Sequence, residues 1–161
     1  MAEFKKVTIY TDGGCINNPG PGGYGVVLLY DKHRKELSGG FRRTTNNRME
    51  IMAALAGLRA LKSPCAVTLL TDSQYLQKSM MLGWAKRWRA NGWMRDREHK
   101  ASNHDLWEQL LDVSATHQVK FKWVKGHAGN KENERCDELS TRAARQPDLP
   151  VDVGYEVESP L

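Results

Sequence analysis

The apolar residues of this chain change period near residue 45, and that change limits the folds open to it. From Lys6 to Thr11, Val7 and Ile9 alternate with Thr8 and Tyr10. Tyr24 to Tyr30 and Glu36 to Arg43 read as two further strands joined by a DKHRK turn. Three successive runs of this kind predict an antiparallel meander. From Asn46 the spacing becomes helical: Ile51, Leu55 and Leu58 fall at i, i+4 and i+7 until Ser63-Pro64 stops the helix. Ala66 to Thr71 is a nearly continuous apolar and β-branched run, predicted as a central strand covered on both faces, and it ends at Asp72 before a helix-starting Ser73. A helix over Asn103 to Ser114, a strand over Val119 to Val124 and a last helix from Asn130 through Arg145 complete the order. The expectation is an α/β fold: a five-stranded mixed sheet, three antiparallel strands then two parallel, flanked by helices on both faces.

A chain of 161 residues fits one domain, expected over 1–145. The stretch 146–161 carries three prolines and four acids without a base and is expected to be partly ordered or flexible. No run reaches the ~18 apolar residues of a membrane span, and MAEFKKVTIY lacks the apolar stretch of a secretory signal, so a cytoplasmic protein is expected. Cys15, Cys65 and Cys136 match no zinc spacing and read as reduced thiols. Nothing demands self-association, so a monomer is expected.

Charge is concentrated. The segment Trp84 to Lys100 holds Lys86, Arg87, Arg89, Arg95, Arg97 and Lys100 against Asp96 and Glu98, which is +4 of the chain's +5. Bases threaded with aromatics suit a polyanion such as nucleic acid. Composition fits equally a solvated basic helix with Trp84, Trp88 and Trp93 as core.

Asp12 and Asp72 both stand at the carboxyl ends of predicted strands, where open α/β sheets gather reactive groups. A right-handed crossover would set those strands side by side, and like charges at close range repel unless a cation lies between them. Glu50 rides on the following helix beside a small-residue stripe of Ala53, Ala54 and Gly57. The stretch TDGGCINNPGPGGYG, with six glycines in fifteen residues, is expected to be a turn whose backbone can approach a nucleic acid closely. It is no phosphate-binding Walker loop, because no Gly-Lys-Ser/Thr follows.

Five motifs, TDGGCINNPGPGGYG, TTNNRME, TDSQY, GWAKRWRANGW and WVKGHAGNKENERCDELS, resemble in order and spacing the bacterial ribonuclease HI family, over about residues 5 to 145. The resemblance implies an endonuclease that hydrolyses the RNA strand of RNA-DNA hybrids with little sequence specificity, leaving a 3'-hydroxyl and a 5'-phosphate. It implies metal-binding carboxylates at Asp12, Glu50, Asp72 and Asp137, and a proton-handling His127 on the loop before the last helix. Asp137 is singled out from Glu132, Glu134 and Glu138 by motif register alone. Four acids without a Cys or His cage suit two magnesium ions joined by substrate phosphate, with manganese as a substitute.

By the same resemblance Cys15, Asn18, Asn46, Asn47 and Gln74 follow the RNA strand along the minor groove, where 2'-hydroxyls tell RNA from DNA. Arg43, Thr45 and Asn103 would grip a DNA phosphate, while Tyr75, Trp84 and Trp88 lie along deoxyriboses. The segment at about 84–100 becomes a basic protrusion, and Trp93, Trp107 and Trp123 are expected to be mainly core. The chain departs from the family pattern at Gly14, where serine is frequent, and at Asn130-Lys131, where His-Pro is frequent.

Overall fold

The computed structural model describes residues 4–157. Strands β1 (Lys5–Cys15), β2 (Gly20–Tyr30) and β3 (His33–Thr44) precede helix α1 (Asn46–Arg59). Then come β4 (Cys65–Thr71), α2 (Gln74–Met81), α3 (Trp84–Ala90), α4 (His104–Ser114), β5 (Gln118–Trp123), α5 (Lys131–Ala144) and α6 (Val153–Glu156). The five strands lie in the order β3-β2-β1-β4-β5. β1 pairs antiparallel with β2 and parallel with β4, β2 pairs antiparallel with β3, and β4 pairs parallel with β5. The expected mixed sheet is the observed one.

The period change explains the layers. Val7, Ile9, Val26, Val67, Leu69 and Phe121 point to one face, where they pack with Ile51, Leu55 and Leu58 of α1 and Trp107 and Leu110 of α4. Each fully buried Leu or Ile there contributes roughly 1.5–3 kcal/mol. Val27, one residue out of phase, meets Cys136 and Leu139 of α5 on the opposite face.

Helix starts follow local chemistry. Thr45, Ser73 and Asn130 each accept a hydrogen bond from the backbone N–H three residues on, capping α1, α2 and α5. Asn130 thereby opens α5 without a proline at the first helical position.

Three expectations need correction. The glycine-rich segment is mostly strand, because β1 runs on through Cys15 and β2 begins at Gly20. Its glycines answer to helix packing: a Cβ on Gly13 would strike the backbone of Met49 and Glu50, and one on Gly23 or Gly25 would strike the carbonyls of Ser140 or Cys136. β4 is not covered on both faces, since its residues alternate between buried and half-buried. α5 packs against β1, β2 and β3 and leaves the far side of β4 and β5 open. Trp123 is 41% exposed rather than core. The stretch expected to be partly ordered or flexible packs on the body as far as it is described: Arg42 N donates to Pro150 O at 2.9 Å, and Asp152 is buried. The last residues of the expected tail, 158–161, lie outside the described residues.

Among the described residues no helix is long and apolar enough to cross a membrane. All three cysteines are free.

Candidate active site

The parallel register of β1 and β4 sets the site. Lys5 pairs with Cys65 and Tyr10 with Leu70 without a break, which brings Asp12 and Asp72 to the same level just past the paired segment. Glu50 arrives from α1, whose backbone abuts β1 where Gly13 leaves room for it. Carboxylate oxygens of Asp12, Glu50 and Asp72 all lie within 4.8 Å of one another. Asp137 follows Cys136 on α5, and the Cys136 carbonyl rests over Gly25, the β2 partner of Asp12. It lies outside that group of three, yet it is close enough for its charge to act on Asp12.

The electrostatics are those of crowded acids. Burial, then the charges of Asp72 and Asp137, push the Asp12 pKa up to about 8. Burial, then Asp12 and Asp72, hold the Glu50 pKa well above the ordinary carboxylate range. Glu50 Oε1 is buried with no hydrogen-bond partner among the described residues, while Asp12 Oδ1 accepts only from Gly13 N at 2.9 Å in its local turn. Hard oxygen donors, one of them orphaned, fit a divalent cation such as magnesium.

The loop between β5 and α5 leans over this cluster. A Cβ on Gly126 would sit 2.7 Å from Asp72 Oδ2, so that glycine permits the approach. Trp123 Nε1 donates to the Asp72 carbonyl at 3.0 Å, which accounts for its exposed position. His127 follows with a left-handed φ of 56° and its side chain exposed.

Among the expected RNA-strand residues, three are locked together. Cys15 N donates to Asn46 Oδ1 at 2.8 Å, and Asn46 N donates to Asn18 Oδ1 at 3.1 Å. Asn47 and Gln74 are exposed in the first turns of α1 and α2. For the DNA-strand set, Thr45 and Asn103 line a cavity of about 600 Å³ together with Asn18, Asn46, Asn47 and Lys100. Arg43 is exposed at the end of β3 and is not among that cavity's lining residues.

Tyr75 OH accepts from Asn103 Nδ2 at 3.3 Å and from Trp107 Nε1 at 3.2 Å. From Tyr75 the rings continue through Trp107 and Trp88 to Trp84, with centroid spacings of 5.3, 6.2 and 6.5 Å. The half-buried Trp84 and Trp88 therefore serve packing and surface at once, as their i, i+4 spacing allows. Lys86, Arg87, Arg95, Arg97 and Lys100 are exposed around this wall, and Arg89 pairs with Asp112 at 2.7 Å.

Sequence reasoning missed the buried ion network beneath the cavity. Arg48 is 3% exposed and bonded to both Asp105 and Asp152. A signal existed: Arg48, Ile51, Leu55 and Leu58 share one stripe of α1, and a base within an apolar stripe requires buried acids.

The sequence model of the family described as RNase H matches residues 4–145. The chain is 65% identical over 151 residues to "Ribonuclease H" of Syntrophus aciditrophicus (strain SB), covering 94% of this chain and 87% of that protein. It is 63% identical to "Ribonuclease H" of Desulforamulus reducens (strain ATCC BAA-1160 / DSM 100696 / MI-1), covering 94% and 95%. Among solved structures, LC9-RNase H1, described as a type 1 RNase H with the type 2 active-site motif, matches with a TM-score of 0.81 and 30% identity. That match covers 100% of this chain and 83% of the other.

Proposed function

Because this chain belongs to the ribonuclease H family, whose enzymes cleave the RNA of RNA-DNA hybrids, we propose that it does so at two divalent cations bound by Asp12, Glu50, Asp72 and Asp137. The observation that carries this reading is the convergence of three carboxylates from β1, α1 and the end of β4 within 4.8 Å. Magnesium suits the oxygen-only donor set, and manganese would substitute. When bound with substrate, such ions supply a lowered pKa for the attacking water and charge stabilisation at the leaving oxygen, giving 3'-hydroxyl and 5'-phosphate ends.

The chain's own residues do the rest. Asp12, fixed on a strand beside Glu50 and Asp72, would be the carboxylate best placed to help hold both cations, with Glu50, Asp72 and Asp137 supplying further oxygen ligands. His127, on a loop anchored by Gly126, moves a proton near the leaving oxygen and assists product release. The Cys15, Asn18 and Asn46 cluster, with Asn47 and Gln74, tests the 2'-hydroxyls of the RNA strand. Arg43, Thr45 and Asn103 take a phosphate of the DNA strand, and Tyr75, Trp84 and Trp88 lie along its sugars. None of these groups needs to read a base edge, so sequence preference is low. The free thiols suit a reducing cytoplasm, and we read the protein as a monomer.

The test is incubation with labelled RNA-DNA hybrid, duplex RNA and duplex DNA, in magnesium or in chelator. Cleavage confined to the RNA of the hybrid, and only with metal, is expected. Cleavage of DNA, or of hybrid in chelator, would overturn the reading; binding without cleavage would make the protein a hybrid-holding module.

A further inference from the structure

The buried network beneath the cavity joins three parts of the chain that the cavity itself needs. Arg48 has five N–H donors and makes five hydrogen bonds. Nε and Nη2 reach Asp152 at 2.8 and 3.0 Å, Nη1 and Nη2 reach Asp105 at 2.8 and 2.7 Å, and Nη1 reaches Asn103 Oδ1 at 3.5 Å. Because Arg48 can only donate, Asn103 must give it the amide oxygen, which leaves the Asn103 NH₂ for Tyr75 OH and the cavity. Asp152 also accepts from Thr44 Oγ1 at 2.7 Å, pinning the end of β3 immediately before Thr45.

The C-terminal segment is shaped to this task. Asp152 is 4% exposed and caps α6, and a Cβ on Gly154 would strike both Asp105 Oδ2 and Arg48 Nη2. α6 therefore sits directly on the ion pairs.

We propose that Asp152 is a positioning residue for recognition of the hybrid's DNA strand: through Arg48 it turns the Asn103 amide outward, and through Thr44 it holds Thr45. This rests on the reading of Thr45 and Asn103 as phosphate-binding residues for the DNA strand. Asp152 touches no substrate. It acts by fixing two groups that do, so its loss weakens binding and leaves the chemical step alone.

The sign of the effect separates positioning from bulk electrostatics. Removing an acid makes the protein more basic, which by charge alone would strengthen nucleic-acid binding. Asp152→Asn should do the opposite, raising KM for hybrid about fivefold or more with kcat within about twofold, as expected when uniform binding is weakened. Gly154→Ala, which alters no charge and lifts α6, should raise KM in the same way and carries the test if Asp152→Asn does not fold at the assay temperature. Glu156→Gln, which removes only an acid paired with the exposed Arg42, should leave KM unchanged or slightly lower.

A single methylphosphonate walked along the DNA strand supplies the second readout. In the native protein one position should raise KM, and in Asp152→Asn that position dependence should vanish. Unchanged KM, or a lower Tm with the methylphosphonate dependence retained, assigns the network to stability alone and overturns the proposal. Native protein that binds hybrid without cutting it would instead overturn the reading of the site as a nuclease; the methylphosphonate dependence of binding would still decide the role of Asp152.

Discussion

With its pKa raised to about 8 by burial and neighbouring acids, Asp12 holds a proton at neutral pH when no cation is bound. Between the unfolded carboxylate range near pH ~4 and that value, the folded chain binds more protons than the unfolded one, so this group's contribution to stability falls as pH rises through about 8. Asp12→Asn removes that penalty. Metal-free melting should therefore favour the variant by at least ~1 kcal/mol at pH 8 and by less at pH 5, with added magnesium closing the gap by stabilising the native protein. In cleavage assays the same variant should bind hybrid normally and lose roughly a thousandfold or more in kcat if Asp12 is the metal ligand proposed above. Cation binding at Asp12 would displace its proton, so calorimetric magnesium affinity should rise between pH 6 and 8 with proton release into the buffer. His117 titrates in the opposite sense. Its pKa is lowered by burial while Nδ1 accepts from Cys65 N at 3.0 Å, so its contribution is present above about pH 6.5 and lost on acidification below it.

Helix α5 is seated by the absence of side chains at Gly23 and Gly25, and this seating carries Asp137 to the site. Gly23→Ala and Gly25→Ala should each cost about 1–3 kcal/mol or more in denaturant unfolding, because backbone rather than a flexible side chain meets the new methyl group. Gly25→Ala should also weaken magnesium binding, since the helix it displaces bears Asp137, whereas Gly14→Ala, with only Asn46 Oδ1 at 3.8 Å, should be mild. The same packing separates what is legible in the chain from what is not. Strand order and helix positions follow from the period change and the caps, both local. The glycines read as a turn because composition records flexibility but not which element packs above it. Trp123 reads as core because its type suggests burial, while its actual partner, the Asp72 carbonyl, lies in a distant stretch.

Across the whole molecule, the densest basic cluster sits on the segment that bears Trp84 and Trp88, while the carboxylates sit on β1, α1, the end of β4 and α5, so affinity and chemistry are separately addressable. Neutralising Lys86 or Arg87 should flatten the log-log salt dependence of hybrid binding by roughly 0.7 to 0.9 for each phosphate no longer engaged, with kcat at saturating substrate unchanged. Arg89 should matter less, because Asp112 already engages it. The convergence of Asp12, Glu50 and Asp72 is legible through motif register, and Asp72 also through its place just past the end of β4, whereas Asp12, expected at a strand end, lies within β1. Of the Arg48 network only the base is legible, from its place in the apolar stripe of α1; its partners are not, because they come from α4 and from a stretch that composition marks as loose. The four carboxylates are spread over β1, α1, the end of β4 and α5, which has a consequence for the chain's birth on the ribosome. On the proposed ligand set, a nascent polypeptide exposes Asp12, Glu50 and Asp72 well before Asp137 clears the exit tunnel, so it should gain nuclease activity only once α5 has emerged. Chains stalled before residue 131 should leave hybrids intact.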